Sequence, residues 1–364
     1  MSIIQIQPWI GNEELEQLKR VIDSTFVVEN KLTSEFEDMT AKLTGAKHCI
    51  AMTNGTVAIY CGLKALNIGP GDEVIIPDLT FIATANAVIM AGATPIFCDV
   101  DQKTFCLCPI KTEKLINKKT KAIMPVHLYG QSADMTSINK LAKKYKLFVI
   151  EDAAQGVGVF FDNRHVGTFG DVGILSYYGN KTITCGEGGM ILSNCDEIAK
   201  ECYMLKNHGR LQKGVFVHEK IGFNFSFTEM QAAVGIAQMN KLNKIIQKKK
   251  EIYQLYQDKL SDIDKIIWPH IDNNCSPVHW FSSILLSKKD LVGLSKFLNE
   301  KNIQTRRFFY PLHLQPCFEY MNLKNASFKN SKDIFEKGLS LPSSVIMTLI
   351  EQKQVIKFIR EYFG

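Results

Sequence analysis

Short apolar runs and amphipathic stretches take turns along most of this chain. Apolar runs fall at 48–52, 73–77, 94–100, 121–127, 147–152, 173–178 and 189–193. The segments 55–66, 84–91 and 134–145 lie between them and read as helices. Strands that alternate with helices need crossover connections, which predicts an α/β fold with a mostly parallel central sheet flanked by helices. Such sheets place ligands beyond the carboxyl ends of their strands.

Ahead of this region, Asn12 is placed to cap a helix whose Leu15, Leu18 and Ile22 recur at three- and four-residue spacing, and a second helix fits 34–43 with Gly45 as its stop. Ser226 and Glu229 read as a capping box before a long helix with Met230, Val234, Ala237, Leu242, Ile245 and Ile246 on its apolar side. Beyond it the pattern is strand (279–287), helix (291–301), strand (304–309) and helices near Asp333 and Ile350. The expected division is a large α/β domain over 1–240 and a smaller α+β domain over 241–364, joined by the long helix.

Composition narrows the class. At 364 residues, 46% hydrophobic and 22% charged, the chain matches ordinary globular proteins. The 43 basic residues outnumber 37 acidic ones but are dispersed, which gives nucleic-acid binding little support; Lys248-Lys249-Lys250 reads as a solvated helix face. Ten cysteines are scattered without a CxxC pair, as expected for reduced, mostly buried thiols and against a zinc site. The N-terminus carries no basic region followed by an apolar stretch, and no run of eighteen apolar residues occurs, so a cytoplasmic protein without membrane partners is expected.

Candidate chemistry gathers at the strand ends. In TNGTVAIYCGLKAL a strand passes through a small-residue turn into a helix, so the amides of Gly55 and Thr56 point outward at the positive end of the helix dipole, where a phosphate is the natural occupant. The run LFVI ends in Glu151-Asp152, and a carboxylate buried there needs a cation or donor. Asp152 is the better candidate, because Ala153-Ala154 leaves space for a flat ring and Gln155 can then donate to a ring hydroxyl. Lys181, in SYYGNKTITCGEGGM, offers an amine for a Schiff base, and Ser176 can address the same phosphate as Gly55 and Thr56. A phosphate cradle, an anion for a ring nitrogen and an amine for an aldehyde together describe a pyridoxal phosphate site. Gly156-Val157-Gly158 lacks the third glycine and the strand-to-helix context of a dinucleotide loop.

These residues sit in segments that resemble the DegT/DnrJ/EryC1/StrS sugar aminotransferases, a branch of the fold type I pyridoxal phosphate enzymes. IGPGDEVIIP, LTFIATANAV, AGATPIFCDVD, VHLYGQSADM, VIEDAAQ, KNHGR, GFNFSFTEMQAAVG and TRRFFYPLH carry the resemblance, and YYGNKTIT followed by GEGGM is most similar to the GDP-perosamine synthase type. It implies that Lys181 holds pyridoxal 5'-phosphate and moves protons, with pyridoxamine 5'-phosphate in the cycle. Asp152 would pair with the ring nitrogen and Gln155 would sit near the ring oxygen. Gly55, Thr56 and Ser176 would hold the phosphate, Phe81 would stack on the ring, and Asn224 would reach the phosphate from a neighbouring subunit of a homodimer with shared sites. Cys185 and HWFSSILL depart from the family pattern.

On the substrate side, His127 lies at a strand end, His313 lies in FFYPLHLQP, and Arg306 and Arg307 can clamp a phosphate or carboxylate. The expected reaction moves an amino group from L-glutamate to a nucleotide-linked keto sugar of the 4-keto-6-deoxyhexose type, for surface polysaccharide or glycan assembly. Two alternatives remain at this point: an aminotransferase for a small phosphorylated ketone, and a non-catalytic regulatory homologue that only binds the cofactor. A dehydratase of the same fold is disfavoured, since relatives of that kind replace the lysine with histidine.

Overall fold

A computed structural model describes residues 2–212, 214–323 and 326–364. In chain order the strands are β1 (His48–Met52), β2 (Glu73–Pro77), β3 (Thr94–Cys98), β4 (Thr120–Ile123), β5 (Phe148–Asp152), β6 (Phe160–Phe161), β7 (Arg164–His165), β8 (Val172–Ser176) and β9 (Gly189–Ser193). They are followed by β10 (Cys275–Ser276), β11 (Ser282–Leu285), β12 (Arg306–Arg307) and β13 (Gly338–Leu341).

The main sheet has seven strands in the order β1-β9-β8-β5-β4-β2-β3. Pairings from β3 through β8 are parallel, and β9 runs against both its neighbours. The predicted α/β sheet is therefore the observed one. Side chains alternate between two apolar layers, as the pleat requires: Ile75, Val149 and Leu175 enter one, and Val74, Ile76, Ile150 and Ile174 the other. Helices Gly55–Ala65 and Ala83–Met90 cover the second layer. Two smaller three-stranded sheets, β10-β6-β7 and β11-β13-β12, complete the fold. The latter has its own core, with Ile284, Leu339 and Leu341 against Tyr256, Leu294 and Ile359. Ile3 joins that core and bridges Ile303, so the chain's beginning is bound to its C-terminal part.

Several local expectations change. The first helix, Asn12–Ser24, is capped at Gly11, whose N–H is taken by the Glu14 carboxylate at 2.7 Å. Its Leu15 and Ile22 are exposed, while Glu14 turns inward to Lys241 at 2.5 Å and Gln238 at 2.7 Å. The buried face thus carries Glu14 and Val21, with Leu18 partly buried against the core. The long helix Glu229–Leu260 is capped by Thr228 with Gln231, not by Ser226 with Glu229. Glu229 instead accepts the backbone N–H groups of Asn30, Leu32 and Thr33 at 2.8–2.9 Å, and so caps helix Lys31–Thr44, which ends at Gly45 in the left-handed region as predicted. Met230, assigned to the apolar side, is exposed. Lys249 is buried and donates to the carbonyls of Trp280 (3.0 Å) and Ser343 (3.5 Å), so the lysine run is not uniformly solvated. Strand β4 stops at Ile123, with an isolated Val126–Asp152 bridge continuing its line, and β3 and β8 also end two residues early. Helix Asp196–Lys206, β10 and β13 carried no predicted signal.

Candidate active site

Gly55, Thr56, Asp152, Gln155, Ser176 and Lys181 lie at or just after the carboxyl ends of β1, β5 and β8. Helix Gly55–Ala65 begins directly after β1, with Asn54 as its cap accepting the Val57 N–H at 3.1 Å. A Cβ added to Gly55 would lie 3.2 Å from Ser176 Cβ and 3.4 Å from its Oγ, so the turn and the end of β8 touch. Gly189 pairs with Ser176 across β8 and β9, and a Cβ there would come within 2.5 Å of the Asn54 carbonyl and 2.8 Å of the Gly55 nitrogen. Glycine at 189 is what lets the Asn54–Gly55 turn close over the strand. Thr56 is half-buried beside it.

At the end of β5 the two carboxylates separate. Asp152 accepts the Thr84 hydroxyl at 2.7 Å and the Ala154 N–H at 3.2 Å, and is 5% exposed. Glu151 points to the other face, where Gly167, Phe169 and Gly170 donate backbone N–H groups at 2.6–2.7 Å and His127 Nε2 lies at 3.0 Å. His127 Nδ1 accepts the Ala133 N–H at 3.2 Å, which makes Nε2 the protonated nitrogen. Both ring nitrogens are engaged and the residue is wholly buried, so the expected substrate contact of His127 does not fit its surroundings; it braces Glu151 instead. Gln155 accepts the Tyr129 N–H at 2.6 Å, and that bond fixes its carbonyl end and leaves its NH2 end as the one that can face a ligand.

Lys181 follows Asn180 in a turn closed by its own N–H to the Tyr178 carbonyl at 2.9 Å. Its Nζ lies 4.5 Å from the centre of the Trp280 ring. Burial lowers its pKa to about 8; the Asp152 carboxylate opposes that shift and the Arg306 guanidinium adds to it. Both charges therefore lie within electrostatic reach of the amine. Arg306, on β12, lies between the rings of Phe281 (5.5 Å) and Phe309 (5.9 Å). Among the described residues its guanidinium has no hydrogen bond or ion pair. Arg307 is exposed and donates to the Phe335 carbonyl at 3.1 Å, away from this cluster.

Phe81 is 53% exposed and tilts against Phe309 with ring centres 5.8 Å apart. His313 is tied to the end of β2, its backbone N–H and Nδ1 meeting the Asp78 carboxylate at 2.8 and 2.7 Å. Desolvation raises the Asp78 pKa, and His313 pulls it back down. Asn224 is exposed, in a segment bridged to Asn207. Cys185 is buried, and its main-chain N–H donates to the Tyr177 carbonyl at 2.9 Å. Sequence reasoning missed Thr84, Tyr129 and Trp280. Thr84 sits within the quoted LTFIATANAV, where a hydroxyl among small apolar residues at a helix start was the available signal.

The described residues contain no group of His, Cys, Asp and Glu able to hold a metal, and no helix among them is long and apolar enough to cross a membrane. The set instead comprises a buried amine of lowered pKa, a carboxylate at a strand end and a helix-opening amide turn. The model of the DegT/DnrJ/EryC1/StrS aminotransferase family matches residues 8–360, and the chain belongs to that family. The GDP-perosamine synthase of Vibrio cholerae is 36% identical over 362 residues, covering 98% of each chain. In shape the chain is similar to S. venezuelae DesV, solved in complex with a ketimine intermediate (TM-score 0.92, 31% identity, 97% of this chain and 95% of that one). It also resembles NtdA from Bacillus subtilis with bound cofactor PMP (TM-score 0.91, 31% identity, 99% and 86%). The protein is an aminotransferase with the fold type I architecture.

Proposed function

We propose that this protein is a pyridoxal 5'-phosphate-dependent aminotransferase that moves an amino group from L-glutamate to a nucleotide-linked 4-keto-6-deoxyhexose. The observation that supports the reading is the electrostatic coupling of Lys181 to Asp152 beyond the sheet edge that also brings Gly55 against Ser176. The donor set suits the cofactor: an amine of lowered pKa, a carboxylate with a lone pair left over, and an open amide turn beside a hydroxyl. When bound, the cofactor supplies an aldehyde for the amine and a ring that withdraws electrons.

The chain's own groups do the rest. Gly55 and Thr56 amides and the Ser176 hydroxyl would hold the phosphate. Asp152, oriented by Thr84, would keep a proton on the ring nitrogen, and the Gln155 NH2 would donate to the ring oxygen. Phe81 offers a flat apolar face. Lys181, with a pKa of about 8, can both release and take up a proton near neutral pH, as a general acid–base must. Arg306 is a cation suited to an anionic substrate group.

The finer readings are of the same standing. We place the enzyme in the cytoplasm, in surface polysaccharide or glycan assembly, with a large domain over 1–240 and a small one over 241–364. A homodimer with shared sites is supported by the exposed apolar Phe26, Val27, Val28 and Met230. They lie beside the 224–228 segment, which carries the exposed Asn224 and is bridged to Val28 through Thr228.

Two measurements test the reading. Borohydride reduction of protein incubated with pyridoxal 5'-phosphate should fix the cofactor to the peptide containing Lys181. A panel of keto acceptors offered with L-glutamate should give aminated product from nucleotide-linked 4-keto sugars. Label on another lysine, or amination confined to small phosphorylated ketones, would overturn it.

A further inference from the structure

We propose that Trp280 is a positioning residue for Lys181, its indole face setting the proton affinity of the amine and its N–H fixing the turn that carries it. Trp280 belongs to the segment entering β11, far along the chain from the lysine. Its ring face stands 4.5 Å from Lys181 Nζ, within the range of cation–π attraction. Its Nε1–H donates at 2.6 Å to the Asn180 carbonyl, one residue before the lysine. A side chain that merely filled volume would need neither contact.

The indole is itself held in place. Lys249 donates to the Trp280 carbonyl at 3.0 Å, the Phe281 ring stacks on the indole with centres 3.9 Å apart, and the Gly130 carbonyl takes the Val278 N–H at 3.1 Å. A Cβ on Gly130 would lie 3.0 Å from the Trp280 nitrogen, so that turn packs directly on the tryptophan backbone.

Three influences meet at the amine besides this ring. Burial and Arg306, from β12, favour the neutral form, and Asp152, from β5, favours the ammonium. The negative face of the indole joins Asp152 in stabilising the ammonium. The ring thus counteracts burial and keeps a larger share of the amine in the ammonium form. The inference rests on Lys181 being the reactive amine. Its test reads the amine without cofactor, whereas borohydride fixation reads cofactor attachment, so the two can fail separately.

The experiment follows the pH dependence of Lys181 acetylation by acetic anhydride in the full chain freed of cofactor, quantified by mass spectrometry of its peptide. Trp280→Met fills the volume without a π face, and Trp280→Phe keeps a face without the N–H. The Lys181 midpoint should fall by about half to one pH unit in Trp280→Met and by less in Trp280→Phe. Wild-type chain grown with tetrafluorotryptophan keeps shape and N–H but loses the negative ring face, and should show the same fall without any change of side-chain type. Midpoints unchanged in both the Met variant and the fluorinated chain would overturn the proposal, as would a Phe variant shifted as far as Met.

Discussion

Glu151 and Asp152 are adjacent on β5, yet their carboxylates serve opposite faces of the sheet. Glu151 is closed off by three backbone N–H groups and His127, while Asp152 takes one hydroxyl and one amide and faces the edge where Lys181 stands. Glu151→Gln should therefore destabilise the fold by about 2–4 kcal/mol, with cofactor affinity little changed. Asp152→Asn should leave stability within about 1 kcal/mol while lowering turnover by about 10²–10³-fold. Denaturant melts and cofactor titrations on the two variants check the contrast.

Arg306 sits near Lys181 without an anionic partner among the described residues. Arg306→Gln should raise the KM for the anionic donor roughly tenfold to a hundredfold. It also removes a positive charge that lowers the Lys181 pKa, so the amine's titration midpoint should move up from about 8. Arg306→Lys should keep that midpoint but lose the paired geometry. Steady-state kinetics with varied donor and acetylation of Lys181 separate the two effects.

Gly189 lies between the ends of β8 and β1, paired to Ser176 on one side and Met52 on the other. Gly189→Ala would push a methyl into the Asn54–Gly55 peptide, at 2.5–2.8 Å in the present geometry. Overpacking of this kind costs about 1–3 kcal/mol. Because the displaced peptide is the anion turn, equilibrium dialysis with pyridoxal 5'-phosphate should show at least tenfold weaker binding by the variant.

Among the described residues no carboxylate pairs with the buried Lys249, and burial lowers its pKa to about 7. The unfolded chain binds its proton up to about pH 10.4, so between about pH 7 and pH 10 the unfolded state carries more protons than the folded one. Wild-type stability from this group rises with pH across that window. Lys249→Met lacks the rise, so the variant's stability relative to wild type should be highest at or below pH 7 and decline toward pH 10. Urea melts at pH 6.5 and 9.5 read the difference; a constant difference would show that burial does not lower the Lys249 pKa in the folded protein.

The alternation of strands and helices, the Asn54–Gly55 turn and the Gly45 stop were all legible in the chain itself. Each depends on residues within a few positions of one another, where periodicity, capping and dipole chemistry act. The partners of the site were not legible. Glu229 looked like half of a local capping box, but its carboxylate meets Thr33, 196 residues away. Trp280 gave no signal because its bond to Asn180 spans 100 residues, and Lys249 read as solvated because nothing local marks which side of a helix will be covered. The small Ala153-Ala154 step already favoured Asp152 over Glu151 as the ring partner, but the groups that each carboxylate would meet were of the same hidden kind. A strand's alternation says that neighbours face apart, but which face meets loop amides and which meets the lysine is decided only when the sheet closes and distant segments pack on it.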